Sequence, residues 1–356
     1  MKIKIHSSEI NRMMKTVSQC IEQKGLTGLS NIEIIYDNNL LTIRGTNGQV
    51  SAIMSTPMLG GDGETFCVDG GMFGKVCAMC NGEIEISTTE KDCTIKGAGR
   101  TRLPVVSASI PAQERVSGQE VTVAAEDFIR CYKGVAHAVA DEQQSRIQLT
   151  GIYTIADGTQ LRMVTLDGFQ MSTETVPCGG DEAKMLIPGS FMKLVANGAF
   201  SGETIRFRTD GKRVEASTDG MVLTCGMLTG EFPDYQKILP TSFATDCLIK
   251  VDELRNALKG GSIVNSKQNL VKLEIGADTV RINNNSEEAD YEAEIGCGTQ
   301  GNGLKIAFNQ KYLTNAINAI DTEDAVMRFN SSVTPCIIQP KDGDGVRLVL
   351  PVRVAG

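Results

Sequence analysis

The sequence predicts an α+β fold made of three copies of one domain, each with two helices packed on antiparallel sheets. Three observations lead there. A helical stretch, a strand pair, a second helical stretch and a further strand run follow one another in the same order three times. The helical stretches carry apolar residues at the spacing of one helix face. The repeat is about 115 residues long, too long for a solenoid unit and right for a domain.

In the first copy the spacing predicts a helix over 7–23, where Ile10, Met13, Met14, Val17 and Ile21 form one stripe. Strands follow at 32–36 and 40–45, a helix at 69–80 and a strand run at 83–102. The second copy reads as a helix over 124–139, strands at 147–155 and 161–165, a helix at 188–199, and strands at 204–208 and 213–218. The third reads as a helix over 252–264, strands at 271–275 and 279–283, a helix at 309–320, and strands at 325–330 and 346–354. The corresponding domains are 1–117, 118–243 and 244–356.

The 356 residues are 41% hydrophobic and 22% charged, the composition of an ordinary soluble globular protein. No stretch approaches the roughly 20 apolar residues that span a bilayer, so no membrane partner is expected. Residues 1–5 alternate like a strand and lack a signal-peptide apolar region, which points to the cytoplasm. Eleven cysteines are scattered, several at apolar positions such as Cys67, Cys131 and Cys336, and read as reduced core residues. The net charge of −8 argues against binding nucleic acid by bulk attraction and leaves room for a local basic surface.

Such a surface is suggested by the helices. Arg12 and Lys15 lie off the apolar stripe of the first, Arg130 and Lys133 lie in the third, and Arg255 and Lys259 sit four apart in the fifth. Lys75, Lys193 and Lys311 lie near the start or middle of the second helix of each copy. A solvated face explains any one helix; recurrence in all six, in an acidic protein, points to a shared role. Acidic residues concentrate in or beside strands, with a dense run at Glu287, Glu288, Asp290, Glu292 and Glu294. A basic helical side and an acidic sheet side suit a ring with helices inside.

Catalytic signatures are thin. His6 and His137 lie in different copies, which disfavours a His-dependent triad or a multi-His metal site. Cys77-Ala-Met-Cys80 has no partner pair at metal-binding spacing. Residues 296–301 match GxGxxG, but the following 304–308 reads as a strand where a dinucleotide site needs a helix, so the motif reads as a hairpin loop. No cofactor, metal or catalytic residue is expected.

Several segments are recognisable together. Arg146-Ile-Gln-Leu-Thr-Gly151 precedes Leu161-Arg-Met-Val-Thr-Leu-Asp-Gly168; Gly230-Glu-Phe-Pro-Asp-Tyr-Gln-Lys-Ile-Leu-Pro240 follows; the chain closes on Leu348-Val-Leu-Pro-Val-Arg-Val354. The whole chain, in order, resembles the bacterial sliding clamps, the beta subunits of DNA polymerase III. The resemblance implies DNA-clamp domains arranged as a half-ring. It also implies a head-to-tail homodimer that encircles double-stranded DNA without reading sequence. The expected partners are the polymerase III catalytic subunit, the clamp loader and repair polymerases, each through a short linear motif.

The resemblance places a hydrophobic peptide cleft on Leu149, Leu166, Gly168, Phe169, Gln170 and Met171. It continues through Pro233, Lys237 and Ile238, and is completed by Pro335, Leu348, Leu350, Pro351, Val352 and Arg353. Phe169 and Gln170 depart from the basic or His-containing pair frequent in the family, which implies a less polar pocket mouth. Lys24 matches a basic DNA-contacting position, and Gln148 stands with Ile147 where some members carry DNA-touching tyrosines. With Lys24 and Gln148, the helix residues Lys75, Arg130, Lys193, Arg255 and Lys311 are the candidate DNA contacts. The implied subunit contact joins Arg100, Arg102, Leu103 and Val105 to Ile263, Glu287, Glu288 and Asp290 of a partner. Two other readings stay open: a clamp paralogue with altered partners, and a repeated-domain hydrolase or transferase using carboxylates.

Overall fold

The fold is described from a computed structural model, over residues 2–23, 28–58, 63–107, 110–111, 113–141, 143, 146–198, 203–264 and 269–353. Among them are six α-helices: α1 (Ser7–Val17), α2 (Gly70–Ala78), α3 (Ala125–Val135), α4 (Gly189–Asn197), α5 (Val251–Gly261) and α6 (Gln310–Asn318). The strands pair antiparallel. The fold is α+β, as expected. The chain divides into two compact units, Met1–Phe128 with Ala156–Thr159 and Pro177–Met227, and Ile129–Ile155 with Gln160–Val176 and Leu228–Gly356.

In the first unit a four-stranded sheet runs Lys2–His6, Glu83–Thr88, Asp92–Lys96, Arg100–Pro104. A nine-stranded sheet joins two sets of strands where Met221–Cys225 pairs with Val50–Met54. The stripe Ile10, Met13, Met14 and Val17 of α1 is buried, as its spacing requires. His6 caps α1, its ring accepting from the Ser8 N–H at 3.3 Å, and Asp69 caps α2 by accepting from Met72 N–H at 2.7 Å.

In the second unit one sheet passes through Gly151–Asp157, Gln160–Leu166, Gln170–Pro177, Val346–Val349, Cys336–Pro340, Asp324–Phe329, Thr245–Lys250, Asp290–Gly301, Thr279–Asn285, Leu270–Ile275 and Leu304–Asn309. α5 and α6 bury Leu254, Leu258, Leu313 and Ile317 on it. Asn309 caps α6, accepting from Lys311 N–H at 3.0 Å.

Several expected elements are corrected. α1 ends at Val17, not 23, because Gln19 and Cys20 bond three residues back to Thr16 and Val17 and tighten the chain out of the helix. Residues 147–150 form a 3₁₀ turn, not a strand, with the Thr150 hydroxyl donating to Ile147 O at 2.8 Å. The GxGxxG segment is not a loop. It ends the strand Asp290–Gly301, which is long because its first part pairs with Thr279–Asn285 and its last part with Thr245–Ile249. The helices are also less uniformly basic than expected. Glu9, Glu126, Asp127, Asp252 and Glu253 occupy first turns, where they complement the helix dipole.

Candidate functional site

A second apolar cluster forms in the second unit, apart from the one beneath α5 and α6. It buries Val164, Leu166, Met171, Tyr235, Ile337 and Leu348, with Leu149, Tyr153, Phe232 and Leu350 packed partly exposed against it. Three stretches distant in sequence meet here. Strands Gln160–Leu166 and Gln170–Pro177 supply Leu166 and Met171 across the turn at Asp167–Gly168. The Asp167 carboxylate accepts from the N–H of Phe169 and Gln170, at 2.8 and 2.9 Å, and Gly168 takes a positive φ of 94° that a side chain would strain. Strand Val346–Val349 then pairs with Gln170–Thr173 and sets Leu348 opposite Met171. The 232–239 stretch closes one side, with Tyr235 buried in a 3₁₀ turn and Phe232 stacked on Tyr153 at 5.0 Å.

The rim of this cluster is apolar and open. Phe169 is 56% exposed and stacks on Tyr312 of α6 at 5.6 Å; Ile238 and Val352 are each 40% exposed. Leu350 N–H bonds Phe169 O at 2.9 Å, Pro351 bridges to Phe308, and Val352 N–H bonds Ala307 O at 2.8 Å, so residues 350–352 are docked. A groove of about 810 Å³ runs beside it, lined by Val333, Val352, Arg353, Lys272 and Lys305. Lys237 is exposed and ion-paired to Asp234 at 2.9 Å. Pro233 is half-buried between Phe232 and Asp234, and Pro335 leads into the strand that carries Ile337.

Gln170 is a correction. It is only 4% exposed, and its amide donates to His137 O at 3.0 Å and to Asp167 at 2.9 Å. It braces the turn from inside, whereas its neighbour Phe169 is exposed on the rim. Tyr153, Val164 and Ile337 join the cluster without a signal of their own in the sequence, since each sits in an apolar run indistinguishable from core. Phe232 and Tyr235 stood inside a recognised motif without a role, and their aromatic character was the available signal.

Among the described residues no cluster of three or more His, Cys, Asp or Glu side chains could hold a metal. Burial pushes the Cys77 thiol up to about 12, and Cys77 and Cys80 are both free and buried.

Comparison with known proteins bears on this geometry. The family of the DNA polymerase III beta subunit matches through its central domain over residues 122–234 and its C-terminal domain over residues 236–353. The chain belongs to the sliding clamp family. The Beta sliding clamp of Lactococcus lactis is 24% identical over 383 residues, covering 99% of each chain. The beta subunit of Thermotoga maritima DNA polymerase III has the same fold, with a TM-score of 0.90 at 24% identity over 99% of this chain and 100% of that one. The beta subunit of Streptococcus pyogenes matches at a TM-score of 0.91 and 21% identity, again over 99% and 100%.

The remaining clamp candidates fall in varied settings. Lys75, Lys193 and Lys311 are exposed on α2, α4 and α6. Arg130 is 43% exposed and lies 3.8 Å from Glu174. Arg255 is engaged within the fold: it pairs with Asp252 and donates to Ile320 O at 2.9 Å beyond the end of α6. Gln148 is half-buried against Gly230, and Lys24 lies outside the described residues.

Arg100 and Arg102 are exposed on Arg100–Pro104, the edge strand of the four-stranded sheet. Leu103 differs from the surface position expected of it. It is 5% exposed and faces its own domain, because alternation along the strand turns it opposite to the arginines. Val105 is half-buried, its N–H bonded to Lys91 O at 2.8 Å. Ile263, just past α5, is 83% exposed. Glu287 and Glu288 lie in the hairpin turn before Asp290; Glu292 and Glu294 follow on the outward face, with Glu294 paired to Arg281 at 2.8 Å.

Proposed function

We propose that this sliding clamp works as a homodimeric ring around double-stranded DNA, without catalysis, and tethers polymerases through the cleft over the Leu166–Met171–Leu348 cluster. Each subunit then supplies three domains, 1–117, 118–243 and 244–356, as a half-ring in the cytoplasm. The observation that carries the reading is the preformed apolar cluster with an exposed rim of Phe169, Ile238 and Val352. Apolar side chains left open beside the docked residues 350–352 fit a partner surface better than a core.

A peptide burying two or three apolar side chains there gains roughly 1.5–3 kcal/mol for each before ordering costs, which puts affinity near the micromolar range. Weak, exchangeable binding suits several partners: the polymerase III catalytic subunit, the clamp loader and repair polymerases. Tethering raises a polymerase's effective concentration at the primer end. The subunit contact is supported by two open strand edges of opposite charge, Arg100–Pro104 and the Asp290–Gly296 part of the long strand. Encirclement needs no base readout, so exposed Lys75, Lys193 and Lys311 suffice against phosphates despite the acidic whole.

The test is a chain ending at Val349. Fluorescence anisotropy with a labelled peptide bearing two leucines and a phenylalanine should show lost binding, while sedimentation still shows a dimer. Peptide affinity within about twofold of the full chain would place the partner site elsewhere.

A further inference from the structure

Behind the cleft floor lies a buried ionic arrangement that the apolar cluster does not require. Leu348 faces the cluster, so its neighbour Arg347 faces the opposite side of the same strand. There Arg347 is 2% exposed. It donates to the Glu174 carboxylate at 2.7 Å, to Thr173 O at 3.2 Å and to Ala319 O at 2.8 Å. Glu174 and Thr173 belong to the strand that carries Met171, and Ala319 is the residue that ends α6. The Ala319 carbonyl is one of the groups a helix leaves unpaired at its C-terminus, where a cation also suits the helix dipole. Room for the pair comes from Gly134 of α3: a Cβ there would lie 2.8 Å from Arg347 Nη2 and 2.9 Å from Glu174 Oε2. The Ser172 hydroxyl, between Met171 and Glu174, donates to Gly134 O at 2.8 Å.

The ladder behind the floor is short, with Gln170–Thr173 pairing with Val346–Val349 and no further. Apolar contacts alone tolerate a slip of two residues, because such a slip keeps every side chain on its own face. A buried ion pair does not, since Arg347 alone is an uncompensated buried charge and Glu174 alone keeps only the half-exposed Arg130, at 3.8 Å. We propose that Arg347 and Glu174 act as a clasp, positioning residues that fix the register in which Met171 and Leu348 meet a bound peptide. The clasp rests on the cleft reading above and adds the device that sets its geometry.

The experiment compares affinity with stability in the full chain. The probe is the labelled peptide bearing two leucines and a phenylalanine, read at a temperature where every variant is folded by circular dichroism. Arg347→Met should weaken binding roughly tenfold. The double variant Arg347→Met/Glu174→Met removes both charges and should recover the melting temperature while binding stays weak. Ile282→Val, in the other apolar cluster, should lower the melting temperature yet leave affinity within about twofold. Should Arg347→Met fail to fold, Glu174→Gln takes its place with the same expected loss. Recovery of affinity together with stability in the double variant would overturn the clasp, and so would an equal loss of affinity in Ile282→Val. Absence of binding by the unaltered chain would instead overturn the cleft reading, and the clasp with it.

Discussion

His137 and Arg347 are both basic side chains kept out of water in the second unit, one held neutral and one paired. Neither ring nitrogen of His137 touches solvent or has a hydrogen-bond partner among the described residues. Burial, and then the nearby Arg347 cation, lower its pKa from 6.5 to about 3. The unfolded chain therefore binds this proton first as pH falls. The neutral ring's contribution to stability is complete above pH 6.5 and is lost progressively toward pH 3. The melting temperature should fall more steeply across that window in the unaltered chain than in His137→Gln, and parallel curves would show that His137 is not held neutral. Leu103 and Ile263 separate folding from assembly in the same way. Ile263→Lys should give monomers with unchanged melting, whereas Leu103→Lys should melt earlier by the equivalent of about 2–5 kcal/mol, because Leu103 is core. An Ile263→Lys chain that sediments as a dimer like the unaltered chain would remove that residue from the contact.

At the scale of elements, α6 ties together more of the molecule than its length suggests. Its C-cap carbonyl at Ala319 receives Arg347, the carbonyl of Ile320 just beyond it receives Arg255, and its Tyr312 stacks on the exposed Phe169. Arg255→Ala should therefore lower stability by about 1–2 kcal/mol in urea unfolding, with no DNA present. A loss below a few tenths of a kcal/mol would mean that Arg255 is free to serve DNA instead. The helices were legible because each buries one stripe: Ile10, Met13, Met14 and Val17 announce α1 at any distance from its partners. Strand Gln170–Pro177 is not, because it is buried on both faces and its Ser172, Thr173 and Glu174 break the apolar pattern that would mark it. Their partners, Gly134 O, Arg347 and Val346 O, lie far off in sequence. Leu166, Met171 and Leu348 are assigned to the proposed cleft only through family motifs, since spacing alone gives the same pattern for core. The buried Arg347–Glu174 pair left no signal at all.

For the whole molecule, a ring and a surface binder differ in one physical respect. A protein held by phosphate contacts leaves DNA at a rate set by salt, and does so equally from circles and from open ends. A closed ring is held by topology and leaves through an end. With a net charge of −8 and exposed lysines on α2, α4 and α6, the proposed ring is expected to be retained by topology and not by phosphate grip. The decisive measurement is retention of the clamp, loaded by a clamp loader onto nicked circular DNA, through gel filtration in high salt before and after a single restriction cut. Encirclement predicts a dimer that stays with the circle and is released once the DNA is linear. Loss from the circle at the same rate as from the linear form would contradict it.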